Sequence, residues 1–247
     1  MVYDRDLLLG SKRDAVLDLW EVQRYGTDSF DDPDYTCIYG LRPAEWHAKG
    51  VRLLGRTVVE CTRDVLADAI GADIAAAMRG ESSRSGVVLI DPFAGSCNTL
   101  FWMLAYLPGC RAVGFELDAG VCELTARSLA IVGSSIELHH GDYLTGLSAL
   151  DVDDDAVVVS FVAPPWGKAL SSAGVLDLRR TVPPAGDVID VLRARFAGPL
   201  ICAIQVYETT DPTSLTELAA RFRQSTLITY AFNAPGQNHG LLLGTST

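Results

Sequence analysis

Three acidic residues, Asp91, Glu116 and Asp142, stand where short apolar runs stop, and a fourth run leads into Ala163-Pro164-Pro165-Trp166. The first stop opens the turn Asp91-Pro92-Phe93-Ala94-Gly95-Ser96-Cys97-Asn98-Thr99. Its glycine allows a ligand to approach the backbone, and a helix starting just behind it offers free amide N–H groups. Glu116 follows about 25 residues later, where a carboxylate can accept hydrogen bonds from both hydroxyls of a ribose. A G-x-G-x-x-G fingerprint is absent, so these residues point to an adenosine-like ligand without a pyrophosphate. Pro164 and Pro165 fix φ and hold the preceding residue extended, which makes a rigid rim at a strand end. Trp166 offers a flat face on which a ring can stack. An acceptor that loses a proton needs a polar partner, and Tyr207, Glu208 and His239 stand at the later strand ends.

Such residues need a scaffold that gathers strand ends, and the chain alternates strand and helix from Gly86 onward. Strands are expected at 87–90, 112–115, 135–139, 156–161 and 200–206, with helices at 100–106, 119–132, 188–196 and 214–223. Gly133 is placed to stop the second of those helices, and Asp211 and Thr213 to cap the last. The run at 156–161 is almost continuously apolar, as a central strand is. Residues 226–232 and 241–244 read as an antiparallel pair joined by a turn containing Pro235 and Gly236. The expected fold is therefore α/β and Rossmann-like, a mainly parallel sheet with a C-terminal antiparallel strand. Ligands should bind beyond the carboxyl ends of its strands.

Residues 1–55 fall outside this alternation and are rich in aromatic side chains, which fits a segment capping the substrate pocket. Tyr25, Trp46 and His47 are its candidates for substrate contact. Residues 56–247 then form the catalytic domain, entered through a helical stretch at 57–78. The six cysteines include no C-x-x-C pair, and His139 and His140 are adjacent on a strand and point to opposite faces, so no metal is expected. Neither a secretory leader nor a membrane span is read from the chain, and a cytoplasmic protein is expected. The net charge of −11, with arginines scattered in pairs such as Arg179-Arg180, disfavours a nucleic-acid partner.

The 91–99 turn resembles the D-P-F-A-G-S-G-T-T turn of class I amino-methyltransferases. The series Gly114-Phe115-Glu116-Leu117-Asp118, His140-Gly141-Asp142-Tyr143 and Ala163-Pro164-Pro165-Trp166-Gly167 is similar to that of the trimethylguanosine synthase group. The resemblance covers residues 86–170 well and the rest only in strand–helix order. It implies S-adenosylmethionine (SAM) as cofactor, with Asp91, Ala94 and Gly95 around its methionine part. It implies Glu116 on the ribose and Asp142 at the adenine amino group, with Asn98, Leu117, Tyr143 and Ala163 completing the cofactor set. Two departures matter: Cys97 stands where the relatives usually have glycine, and Ala163 where they have Asp, Asn or Ser. That polar side chain normally helps hold a target amino group.

Without that clamp, the balance favours a small aromatic or heteroaromatic acceptor, an indole-type ring foremost, methylated on carbon or nitrogen. Pro164, Pro165 and Trp166 would bind it. Lysine occurs only at positions 12, 49 and 168, in keeping with a GC-rich, actinobacterial type of genome and with specialised metabolism. A small amine, a nucleic-acid amino group such as guanine N2, and a non-catalytic SAM-binding role remain alternatives. A homodimer stays open as the assembly.

Overall fold

The computed structural model describes residues 1–79, 86–232 and 238–246. Helices α1 (Arg5–Leu9), α2 (Leu19–Phe30), α3 (Pro43–Ala48), α4 (Gly55–Glu60) and α5 (Asp64–Ala77) precede the first strand. Then come β1 (Val87–Asp91), α6 (Asn98–Tyr106), β2 (Arg111–Glu116), α7 (Ala119–Val132), β3 (Glu137–His140) and α8 (Tyr143–Ala149). The chain ends with β4 (Val157–Val162), α9 (Ala185–Arg195), β5 (Leu200–Tyr207), α10 (Pro212–Ala219), β6 (Gln224–Tyr230) and β7 (His239–Thr245). The seven strands form one sheet in the order β3-β2-β1-β4-β5-β7-β6. All neighbours are parallel except those made by β7, which runs antiparallel to both β5 and β6. The turn expected around Pro235 and Gly236 lies outside the described residues.

Strand alternation sorts the side chains of β4 to two covered faces. Val157, Val159 and Phe161 join Ile70, Ile74, Leu100 and Met103 of α5 and α6 in one core. Val158 and Val162 join Leu147, Val188, Ile189, Leu192 and Leu218 of α8, α9 and α10 in the other. The first core also takes in Leu8, Leu17, Tyr25, Tyr39 and Trp46, so residues 1–55 share its apolar packing.

Local signals set several ends. Asp118 caps α7 by accepting from the Val121 amide, and Gly133 ends the helix in the left-handed region at φ +68°. Asp211 caps α10 through the Ser214 amide, but Thr213 lies inside that helix, and the helix stops at Ala219, short of the expected 223. The helix expected at 57–78 is two helices, because Cys61 and Arg63 are extended. At the break the Thr62 carbonyl and the side chain of Asp64, the first residue of α5, both accept from Asn98 at the start of α6.

Candidate active site at the carboxyl ends of the strands

The strand order reverses between β1 and β4, and in open α/β sheets such a switch point is where ligands bind. On one side stand Asp91 and Glu116, at the ends of β1 and β2. On the other stand Ala163 to Trp166, Tyr207 and His239. Because β7 is antiparallel, its first residue, His239, pairs with Tyr207, the last of β5, and reaches the same edge.

The turn after β1 is held from all sides. Ala94 N–H donates to the Phe115 carbonyl at 2.9 Å, and Thr125 Oγ1 donates to the Gly95 carbonyl at 2.8 Å. Glu116 accepts from Gly95 N–H at 3.0 Å and from Asp118 N–H at 2.7 Å, one through each carboxylate oxygen. Each oxygen retains acceptor capacity for a ribose hydroxyl. Gly114 permits this packing, since a Cβ there would lie 2.8 Å from that of Ala94. Cys97 adopts φ +56°, ordinarily a glycine conformation, and is fully buried with its sulfur beside Gly114. Asp91 is buried, accepts from Phe93 N–H at 2.9 Å, and has its pKa pushed up to about 7. Burial is the main cause, and its charged neighbour Glu116 adds to it. A buried carboxylate of this kind suits the ammonium group of an amino acid ligand, so these residues fit the methionine end of SAM.

Asn98, expected beside the cofactor, is turned inward instead. It is 1% exposed; its oxygen accepts from Tyr39 N–H at 2.7 Å, and its nitrogen donates to the Thr62 carbonyl and Asp64 at 2.8 and 3.0 Å. Asp64 also accepts from Trp102 Nε1 at 2.6 Å and Gly40 N–H at 2.9 Å. Tyr39 Oη donates to the Ser96 carbonyl at 2.5 Å. This clasp ties the N-terminal segment to the turn, and sequence reasoning missed Tyr39, Thr62 and Asp64 because no local pattern marks them.

Beyond the ends of β4 and β5 and the start of β7 stands a wall of rings. Trp166 lies 5.5 Å from Tyr207 and 6.0 Å from His239, centroid to centroid, and Tyr207 and His239 are 5.9 Å apart. Pro164 is buried while Pro165 is exposed at the rim, with Ala163 packed on the core below. Arg63 stacks on Tyr35 at 4.0 Å from the ring centroid. Burial, reinforced by Arg63, pulls the His239 pKa down to about 4, so its imidazole is neutral at pH 7. Glu208 is exposed beside Tyr207.

Other expected residues occupy different ground. Leu117 is 70% exposed next to Glu116, and Tyr143 is buried against Phe93 at 5.2 Å. Asp142 caps α8 through Leu144 N–H at 2.7 Å. Trp46, expected to touch substrate, is fully buried and donates Nε1 to the Thr36 carbonyl; Tyr25 is buried edge-on against Phe30 and Tyr35. Both serve as core, since a large ring in this aromatic-rich segment stabilises most when removed from water. His47 is half-buried beside Trp46, outside the ring wall. Among the described residues, no group of three or more His, Cys, Asp or Glu is placed to hold a metal ion, and no helix is long and apolar enough to cross a membrane.

No protein-family model and no curated protein sequence matches the chain. Solved structures do match. A candidate O-methyltransferase from Klebsiella pneumoniae aligns over 82% of this chain and 86% of its own, with a TM-score of 0.53 and 12% identity. The N-terminal domain of human METTL16, in complex with SAH, aligns over 76% of this chain and 73% of its own, with a TM-score of 0.50 and 14% identity. A candidate class I SAM-dependent methyltransferase from Listeria monocytogenes shares 18% identity over 73% of this chain, at a TM-score of 0.48. The chain spans 60% of that protein's length. At such identities the likeness is one of architecture: the chain has a Rossmann-like fold that it shares with these methyltransferase structures.

Proposed function

We propose that the chain is a SAM-dependent methyltransferase acting on a small aromatic or heteroaromatic molecule, an indole-type ring foremost, within specialised metabolism. The observation that carries this reading is the wall of Trp166, Tyr207 and His239, at strand ends on the other side of the switch point from Asp91 and Glu116. SAM, when bound, supplies an electrophilic methyl on a sulfonium. Asp91 would hold its ammonium group and Glu116 its ribose, with exposed Leu117 covering the adenine. Trp166 and Tyr207 would stack the acceptor ring, and the Pro164-Pro165 rim would set its tilt. On transfer the cofactor would give up its sulfonium–methyl bond and leave as a neutral thioether, and Glu208 or water would accept the proton that the methylated ring gives up. Alignment and exclusion of water supply most of the acceleration in such a displacement. Ala163 leaves no side chain to clamp an amine, and the net charge of −11 supports a small acceptor over a nucleic acid.

A SAM-consumption screen with indoles, small amines and guanosine derivatives tests this, with the methylated atom located by NMR. Turnover of an indole-type ring is expected. Transfer confined to guanosine would replace the acceptor class, and SAM binding without any turnover would replace the enzyme by a SAM-binding module. Trp166→Ala should raise the acceptor KM roughly 10- to 100-fold, the worth of one stacked ring, and leave SAM affinity within about twofold. Equal loss of both would make Trp166 a structural residue.

Asp91 predicts a pH effect. Its carboxyl titrates near pH 7 in the free protein, and a bound ammonium group lowers that pKa, so binding releases a proton. Affinity for SAM therefore rises with pH, by roughly fivefold between pH 6 and 7, below the range where the ligand's own ammonium group loses its proton. Calorimetry in two buffers of different ionisation heat should detect the released proton, and Asp91→Asn should abolish the slope. A flat pH profile in the parent protein would remove Asp91 from the ammonium site.

A further inference from the structure

We propose that His239 acts as a hydrogen-bond donor through Nε2–H, its tautomer set by Gln205, and that the indole-type acceptor is one carrying a carbonyl oxygen or an unprotonated ring nitrogen, which plain indole lacks. Gln205 sits two residues before Tyr207 on β5, on the same face of the strand, and is 8% exposed. Its amide oxygen accepts from Thr62 Oγ1 at 3.2 Å. With the oxygen on Thr62, the amide nitrogen stands on the His239 side, where Nε2 of Gln205 lies 3.4 Å from Nδ1 of the imidazole. An amide NH2 can only donate, so Nδ1 is the unprotonated nitrogen, and the single proton of the neutral ring is on Nε2.

The groups around His239 keep it in that form. Arg63 opposes a positive imidazole, whereas Glu208 favours one; burial and Arg63 prevail. Protonation would also set an Nδ1–H against the NH2 of Gln205, two donors face to face. Thr62 is itself held by its carbonyl, which accepts from Asn98 at 2.8 Å. The orientation of Gln205 is thereby referenced to the turn after β1, and His239 is set by the same frame that sets the cofactor side. A neutral Nε2–H recognises a lone pair and cannot take a proton. Of the groups at these strand ends, Glu208 is then the proton acceptor and His239 the group that selects the ring. Aromatic contact with Trp166 and Tyr207 alone would admit any flat ring; a directed donor beside them penalises rings that leave it unpaired.

This inference rests on the reading of the ring wall as the acceptor site, and its test separates the two. Long-range 1H–15N correlation spectra of 15N-histidine-labelled protein, with His239 assigned by its loss in His239→Gln, report the tautomer directly. The expected pattern is Nε2 protonated and Nδ1 bare, unchanged from pH 8 to pH 5.5. Saturating oxindole, a ring with a carbonyl, should shift the His239 Nε2–H resonance, and indole should shift it much less. Gln205→Glu supplies a carboxylate that accepts from Nδ1–H, so it should reverse the tautomer and abolish the oxindole shift. An Nδ1–H tautomer in the parent protein, titration of His239 near pH 6.5, or an Nε2–H signal indifferent to oxindole would each overturn the proposal. Absence of methyl transfer to every ring tried, with tautomer and oxindole shift as stated, would instead remove the enzymatic reading and leave the inference in place.

Discussion

Replacing Glu116 with alanine should weaken SAM binding by about 100-fold or more, the largest cofactor effect expected from a single side chain here. Hydrogen bonds to a charged group are worth roughly 1.5–3 kcal/mol each, and a ribose offers two hydroxyls to one carboxylate. The same carboxylate also fixes the turn, through Gly95 N–H and Asp118 N–H. Both losses act against the cofactor. Neither should unfold the protein, because Glu116 is half-buried and burial already holds its pKa above the usual carboxylate range. The free protein should therefore keep its melting temperature while its calorimetric affinity for SAM collapses. Glu116→Gln keeps the shape and one acceptor oxygen, and should fall between alanine and the parent. Unchanged affinity in Glu116→Ala would remove the ribose assignment.

Asn98→Ala should cost stability rather than chemistry, about 2–4 kcal/mol, because it breaks three buried hydrogen bonds and leaves their partners short. Tyr39 N–H loses its acceptor, the Thr62 carbonyl its donor, and Asp64 one of the N–H groups that make its burial tolerable. Burial already raises the pKa of Asp64, so the remaining carboxyl should rise further and take up a proton more readily. Denaturant unfolding should show a lowered midpoint with little change in slope. A loss below about 1 kcal/mol would mean that water replaces the amide and that the clasp contributes little.

The two variants probe parts of the molecule that differ in how far they could be read from the chain. Glu116 announced itself: an apolar strand, a glycine turn before it, and a carboxylate at its end lie within one short stretch of sequence. Asn98 sits in that same stretch, yet nothing in the stretch announces that its side chain turns inward. Its partners, Tyr39, Thr62 and Asp64, are 59, 36 and 34 residues away. Likewise the ring wall was legible as separate strand ends, but Gln205 was not, since its two partners stand 143 and 34 residues off. Trp46 and Tyr25 looked like pocket residues because aromatic composition does not distinguish a core ring from an exposed one.

Taken by itself, the sequence determined the α/β alternation, the helix stop at Gly133, the cap at Asp211, and the acidic and aromatic residues at the strand ends. These follow from periodicity, capping and turn chemistry, which operate over a few neighbouring residues. Only the tertiary structure decided that β7 inserts between β5 and β6, which carries His239 to Trp166 and Tyr207. It alone decided that Cys97 is buried with its sulfur beside Gly114, and that the helix entering the sheet breaks at Cys61–Arg63, where the Thr62 carbonyl meets Asn98. The reason is the same in each case: a buried polar group or a close contact must be satisfied by whatever the fold brings near. That partner is chosen by packing across the whole chain, not by the residues beside it.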